Sequence, residues 1–463
     1  MTVELTPQRV ESAAEANGRF GFAFSPRFFI ALALAFVCII PLFWSERWSA
    51  ALIGWIVFVI AAWIWDAWRL PKARDLIVSR AFSGPMLLAE PAGVTLEIVS
   101  SSRLPLRVLG VDELAPTLYA TVPQFRLILP ARGTARHDYT IVPRKRGDAQ
   151  LGSVFLHYGS GFGFAERWAV ARLKQSVCVL PDIAEANRQA LYLIRSRQTD
   201  MEKRRHRDPG LGREFESLRE YREGDEVREI CWTATARRHH LVTRTFQSER
   251  TQTVWAVLDC GRLMRAEIAR SGEDFRLTKL DYAVNAALSI ARVTTQRGDR
   301  FAALAYGRNI QQALTAGAGA LHIRRCVDTL AHIRTESAEA NHMLAARVLL
   351  QKQTRRALVV WITDFAESPA TPDVVEYAIQ LARRHLVLFV AVNQPDLADA
   401  AHQVAENDQQ MYRAAAALGL LQRREVLLRT LRQSGVLALE MPAGGLTTAI
   451  VNEYLAIKDR NLL

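Results

Sequence analysis

Residues 251–260 read TQTVWAVLDC, and within them VWAVLD (254–259) is an unbroken apolar run that closes on an acid. The run is too short for a helix and is bounded by polar residues, so it reads as a strand buried on both faces. Downstream, LDYAVNAALSIARV places apolar residues at 280, 283, 284, 287, 288 and 291, one face of a helix. RFAALAYG (300–307) is a strand, HIRRCVDTLAHI and HMLAARVLLQ are helices, and ALVVWITD (357–364) is another continuous apolar strand. VVEYAIQLARRH and LVLFVAVN (386–393) repeat the pattern, and the rest to 463 gives a long Ala-rich helical stretch, a strand-like VLALEMP and a closing helix. Such alternation predicts, over 251–463, an α/β domain with a mainly parallel sheet covered by helices. Ligand sites in such sheets lie beyond the carboxyl ends of the strands, where Asp259 and Asp364 fall. The tail from 396 onward offers no chemistry in this reading.

The stretch that feeds the first strand is GREFESLREYREGDEVREICWTATARRHHLVTRTFQSER, residues 212–250. Eight arginines are interleaved there with eight acids, which predicts an ion-paired, hydrogen-bonding surface rather than a basic tract. Phe215, Leu218, Tyr221, Val227, Ile230 and Trp232 supply apolar anchors, with Tyr221 and Trp232 expected to be buried. The spelling Gly212-Arg-Glu-Phe, Leu218-Arg-Glu-Tyr, Gly224-Asp, Arg228-Glu-Ile, Trp232, Ala236-Arg, Phe246 and Glu249 closely resembles the bacterial family catalogued as "domain of unknown function 58". The resemblance implies a β-sandwich-like domain ahead of the signature. It also implies company with a MoxR-type AAA+ ATPase, and a role in protein assembly or maturation. Arg219, Tyr221, Asp225, Arg228, Trp232 and Arg237 are the candidate partner-binding residues. The competing reading is that they weld the sandwich to the α/β domain.

The two acids bring a second resemblance. A strand, an Asp motif, and a later strand closing on Thr363-Asp364 look like a von Willebrand factor type A domain. In that fold the first strand ends Asp-x-Ser-x-Ser and helps bind a divalent ion through which a partner's carboxylate docks. Here the residues are Asp259-Cys-Gly261-Arg-Leu263, so both hydroxyls are missing. A hard cation such as Mg²⁺ wants several oxygens in near-octahedral array. Asp259 and Asp364 therefore make a degenerate metal site, able with water to hold such an ion weakly. The alternative is that Asp259 caps the following segment and pairs with the Arg-rich signature, Arg262 closing that ion pair.

Residues 76–183 hold short alternating or β-branched runs: VTLEIVS (94–100), LYATV (118–122), FRLILP (125–130), YTIVP (139–143), GSVFLHY (152–158) and VCVLP (177–181). Their spacing predicts a β-sandwich-like domain. Gly159-Ser-Gly-Phe-Gly163 is glycine-rich but opens no helix, so it reads as a hairpin turn and not a phosphate loop. Residues 184–250 then comprise a helix (ANRQALYLIRSRQ), the charged connector MEKRRHRDPGLG and the signature.

Residues 1–27 are polar and read as a mobile tail or short surface helix. FFIALALAFVCIIPLFW (Phe28 to Trp44) and WSAALIGWIVFVIAAWIW (Trp48 to Trp65) carry no charge and approach the span of about 20 residues that a bilayer needs. Together, over 28–68, they predict a transmembrane helical hairpin with Trp44, Trp48, Trp65 and Trp68 at the interfaces. No ionisable residue lies in either run, which suits an anchor rather than a transporter. Arg9, Arg19 and Arg27 precede the pair and Arg69, Lys72 and Arg74 follow it, against Arg47 alone at the tip. The positive-inside rule then faces the domains to the cytosol, from a bacterial inner membrane.

The chain has 463 residues and a net charge of +12, a balance that fits proximity to anionic lipid better than nucleic acid, since no nucleic-acid-binding signature is present. Its five cysteines (38, 178, 231, 260, 326) share no metal or redox spacing. Nucleotide loops, zincin helices, nucleophile elbows and kinase sets are absent from the sequence, and His239-His240 sit beside Arg237-Arg238. The expected function is a non-enzymatic, membrane-anchored adaptor without a cofactor. A metal-dependent hydrolase using Asp259 and Asp364 is the alternative, and a sensor of nucleic acid or anionic lipid acting through 203–207 and the signature arginines is a third reading.

Overall fold

A computed structural model of the chain describes residues 9–16, 22–38, 47–118, 121–182, 214–221, 230–247, 251–269, 276–364, 373–393, 395–404, 406–460 and 462–463. These form two units, 1–180 and 181–463.

The first unit is built mostly of antiparallel sheet. Its strands are β1 (Val10–Ala16), β2 (Phe22–Phe24), β3 (Leu76–Phe82), β4 (Ala92–Ser100), β5 (Leu106–Asp112), β6 (Gln124–Leu129), β7 (Thr134–Ile141), β8 (Gly147–Leu151), β9 (Val154–Ser160), β10 (Ala165–Ala171) and β11 (Gln175–Val179). An antiparallel sheet runs in the order β6-β5-β9-β10-β1-β3-β4-β7, with β2 on β10, and β8 pairs with β11. Alternation is strict in β4 and β5, and the inward residues Leu96, Ile98, Leu106 and Val108 meet Leu76, Val78, Phe125 and Leu156 in one core. Arg80 is fully buried on β3. Its guanidinium donates to both carboxylate oxygens of Asp112 at the end of β5, and Tyr139 donates to the same carboxylate at 2.5 Å. A buried cation of this kind persists only when its anion is satisfied as fully as here.

Two expectations fail in this unit. Residues 10–16 are not a tail but strand β1, which pairs antiparallel with β10 on one side and β3 on the other and buries Ala14 between them. LYATV (118–122) is not a strand: Leu118 lies buried in a bend, and 119–120 fall outside the described residues. The glycine-rich turn is the expected hairpin, between β9 and β10, with Gly163 at φ +70°.

The apolar segments form α1 (Pro26–Ala33), a tight 3-10 turn Leu34–Cys38, and α2 (Arg47–Arg69). Among the described residues, one helix, Trp48–Arg69, is long and apolar enough to cross a bilayer. Of the Phe28–Trp44 run, residues 28–33 lie in α1 and 34–38 in the 3-10 turn, and 39–44 lie outside the described residues. The feet of both helices are tied to the β9–β10 turn. Ser25 caps α1, accepting from the Arg27 and Phe28 amides, while its hydroxyl donates to the Gly163 carbonyl. Asp66, in the last turn of α2, accepts from the Ser160 hydroxyl at 2.5 Å and from the Phe164 and Ala165 amides at 2.9 and 3.0 Å.

The second unit begins with β12 (Glu214–Glu220), α3 (Trp232–Arg238) and β13 (Val242–Gln247), where β12 and β13 pair antiparallel. The helix ends at His239, held at φ +57°. The α/β part follows with β14 (Thr253–Asp259), β15 (Glu267–Ala269), β16 (Arg276–Thr278), α4 (Lys279–Gln296), β17 (Arg300–Tyr306), β18 (Ile310–Gly317), α5 (Ala320–Ala331) and α6 (His342–Lys352). It closes with β19 (Leu358–Thr363), α7 (Asp373–Ala382), β20 (Leu386–Asn393), α8 (Pro395–His402), α9 (Asp408–Gln433), β21 (Leu437–Pro442) and α10 (Leu446–Asp459). The sheet is mixed, in the order β18-β17-β14-β19-β20-β21. Every pairing is parallel except that of the edge strand β18. That edge strand, IQQALTAG, is only partly buried and mixes polar with apolar residues, so it shows no continuous apolar run. Strands β14, β19 and β20 are buried on both faces, as their unbroken apolar spelling requires.

Candidate functional site

The strand order reverses between β14 and β19, so the crevice between their carboxyl ends is the switch point where doubly wound sheets place ligands. Asp259 closes β14 and Thr363-Asp364 closes β19. In register, Leu258 pairs with Ile362, which sets the two acids side by side. Both carboxylates are buried.

Asp259 points one oxygen at the Gly261 amide (2.7 Å) and the other at the Thr363 hydroxyl (2.6 Å). Burial pushes its carboxyl up to about 6, against the two hydrogen bonds that favour the anion and with the Asp364 charge adding to the rise. Asp259 thus caps the segment that follows it. Arg262 does not pair with it: both Asp259 oxygens are taken by the Gly261 amide and the Thr363 hydroxyl, and the Arg262 guanidinium turns to Glu339 at 2.9 Å.

Asp364 is held by two cations. Lys279 donates to Oδ2 at 2.6 Å and Arg424 to Oδ1 at 2.6 Å, and Arg424 reaches on to Glu440 at 3.0 Å. Lys279 is only 1% exposed. Local sequence explains how it gets there. Thr278 and Asp281 form a reciprocal capping box that starts α4 at Lys279. The first residue of that helix therefore stands at the sheet's carboxyl edge, where its buried side chain brings the ammonium to the acid. Arg424 comes from the middle of α9 and Glu440 from β21, both in the stretch beyond 396 whose spelling carries no chemical motif. Lys279, Arg424 and Glu440 are the residues that sequence reasoning missed. A lysine at the first turn of a helix, where an acid is preferred, was the one visible signal.

The four carboxylate oxygens of Asp259 and Asp364 thus each accept from a group of the chain itself, two of them from full positive charges. A divalent ion at this point would have to displace Lys279 and Arg424. Nor is there room to restore a hydroxyl: a Cβ on Gly261 would stand 2.9 Å from the Ala340 amide nitrogen and 3.0 Å from its Cβ. The residues present do not fit a hard cation, and the degenerate metal site is closed by protein cations.

Beneath the crevice, Trp361 donates to the Tyr306 hydroxyl at 2.7 Å, and that hydroxyl lies 3.0 Å from His342 Nδ1. Burial brings the His342 imidazole down to about 4, so it is neutral at ordinary pH and serves as a packing partner.

Of the six signature residues, Arg219 lies in β12, Tyr221 follows it half-buried, and Trp232 and Arg237 lie on α3. Asp225 and Arg228 lie outside the described residues. Trp232 is 63% exposed, contrary to the expectation of burial, since a seven-residue helix without a single buried residue offers it no core. Arg237 is likewise exposed.

Residues 217–401 match the family model described as Protein of unknown function DUF58. Among curated relatives, Uncharacterized protein Rv1480 of Mycobacterium tuberculosis and Uncharacterized protein Mb1516 of Mycobacterium bovis are each 30% identical over 210 residues, 43% of this chain and 62% of theirs. The match thus spans less than two thirds of those relatives. Among solved structures, the conserved hypothetical protein BatB from Bacteroides thetaiotaomicron aligns over 45% of this chain and 99% of its own, at 13% identity and a TM-score of 0.31.

Proposed function

We propose that this chain, which carries a DUF58 family region over residues 217–401, is a membrane-anchored, non-enzymatic adaptor that grips a protein partner through α3 and the β12–β13 ribbon. The observation that carries the reading is the closure of the switch point. Where a catalytic or metal-dependent α/β domain would keep an open acid, both carboxylates here are spent on internal partners. The strand order and the acid positions remain similar to a von Willebrand factor type A domain, now with an ion-paired lock instead of an ion-mediated docking point. What stays available is Trp232 and Arg237, an exposed aromatic and an exposed guanidinium on one short helix, the residue types that dominate binding hot spots.

The anchor is a hairpin with both ends on one side of an inner membrane, the soluble units facing the cytosol. In support, β1 precedes the apolar segments, β3 follows them, and the two strands pair with each other. A chain that leaves one sheet and returns to the neighbouring strand of the same sheet crosses a bilayer an even number of times. Trp55 also donates to the Ala31 carbonyl at 2.8 Å, and Phe24 and Phe28 pack on Trp63, so the two helices meet at their feet. The partner expected from the family resemblance is a MoxR-type AAA+ ATPase.

The test is gentle detergent purification of the tagged full chain from its native membrane, with and without ATP, followed by mass spectrometry. The wild type is expected to retain an AAA+ ATPase that Trp232→Ala and Arg237→Ala both lose. Recovery of the ATPase by both variants at wild-type level, or no ATPase at all, ends this reading.

A further inference from the structure

At the foot of the apolar helices the first unit contains a cavity of about 550 Å³. Three guanidiniums line it, Arg27 from the first turn of α1, Arg107 from β5 and Arg126 from β6. Arg27 spends one nitrogen on the Gly161 and Phe162 carbonyls. Arg107 and Arg126 are exposed, and among the described residues no carboxylate pairs with either. The one acid in the lining, Glu166, is already engaged with His157 at 2.8 Å. The lining therefore sets three guanidiniums against one carboxylate and is net cationic.

Its apolar wall is as unusual as its charge. Ile128 is 73% exposed and Leu109 40%, both on the outward face of the sheet, with Ile128 in register with Arg107 and Leu109 with Arg126. Arg107 in turn faces Gly159 at the end of β9, one residue from Ser160, which holds Asp66 of α2. Beyond that point Phe162 (60% exposed) packs edge-on against Trp65 of α2, and Trp68 is 84% exposed. Cationic and apolar groups thus alternate on a surface that runs directly into the aromatic foot of the helices.

The geometry points to a headgroup site for an acidic phospholipid. The phosphate is held by Arg107 and Arg126 with Arg27 beside it, and the acyl chains run along Ile128 and the exposed face of α2. Guanidinium pairs suit phosphate because their planar forks match its oxygens. A soluble anion would need the arginines and would gain nothing from the exposed isoleucine, leucine and phenylalanine, so the lipid is the source to which the surface commits. The inference rests on the proposed seating of residues 28–69 in a bilayer. That premise is tested separately by alkaline carbonate extraction, in which release of the chain into the soluble fraction would refute the anchor.

The experiment is native mass spectrometry of the full chain in non-ionic detergent, offered equimolar phosphatidylglycerol and phosphatidylcholine with identical acyl chains. The wild type is expected to retain phosphatidylglycerol in preference, by on the order of tenfold for two arginines at a lipid surface. Arg107→Gln with Arg126→Gln should abolish the preference. Arg103→Gln with Lys174→Gln, the same loss of charge at exposed positions outside the cavity, should keep it. The site is overturned if the wild type shows no preference, if the Arg107/Arg126 variant keeps it, or if the control variant loses it equally. Binding of inorganic phosphate without any headgroup preference would assign the cavity to a free anion and overturn the lipid.

Discussion

Removing the ammonium from Lys279 tests the closed switch point most directly. Lys279→Met keeps the length and apolar stem of the side chain, so packing changes little and the perturbation is electrostatic. Lys279 and Asp364 are both buried, and the pair is 2.6 Å apart. Taking one partner from a buried ion pair costs about 3–5 kcal/mol. Asp364 keeps Arg424 in the variant, so the lower end, about 3 kcal/mol, is expected. Asp364→Asn is worse, about 5 kcal/mol, because it strands Lys279 without an anion while Arg424 still has Glu440. For a domain of this size about 3 kcal/mol lowers the midpoint by roughly 6–12 °C. The assay is thermal unfolding of the full chain in detergent, with hydrogen exchange of peptides covering 357–364 to assign the transition. The double variant should be milder than the sum of the two by on the order of 2 kcal/mol, since its second change removes an already orphaned group. If each single change moves the midpoint by less than about 2 °C and the effects add, the reasoning that the cluster is a coupled ionic lock is wrong.

Asp259 sets a pH dependence. Its folded carboxyl titrates at about 6, above the usual value of 3.8, so the folded state takes up a proton first. The stability this contributes is complete below about pH 4 and is lost as pH rises through about 6. Asp259→Asn should therefore gain up to about 3 kcal/mol over wild type at pH 8 and nothing at pH 4, read from urea unfolding at the two pH values. Magnesium at millimolar concentration should leave the unfolding midpoint of the wild type within about 1 °C, because no binding free energy is available to link to folding; a saturable rise would reopen the metal site. Gly110→Ala places a Cβ 2.1 Å from Cζ of Phe125, so overpacking of about 1–3 kcal/mol should appear in hydrogen exchange of β5 and β6 and not of β14. Trp232→Ala and Arg237→Ala, both at the surface, should change the midpoint by no more than about 1–2 °C, which separates their expected loss of a partner from any loss of fold.

What the sequence determined by itself is whatever depends on local pattern. The unbroken apolar spelling of 254–259, 357–364 and 386–393 forces strands covered on both sides, and the helical periodicity between them forces the crossovers. Asp259 and Asp364 could be placed at the sheet's carboxyl edge from those runs alone. The length and apolarity of Trp48–Arg69 likewise needed no tertiary information. Strands β1 and β18 escaped because their side chains are small or polar, and only neighbours on the sheet make such segments strands. The meaning of the two acids was decided by the tertiary structure. Lys279 is 85 residues from Asp364 in the chain and Arg424 is 60, and nothing in their local spelling announces a contact. A carboxylate's chemistry is set by the charges within a few ångströms of it, and the folding of α4 and α9 over one sheet edge brings those charges there.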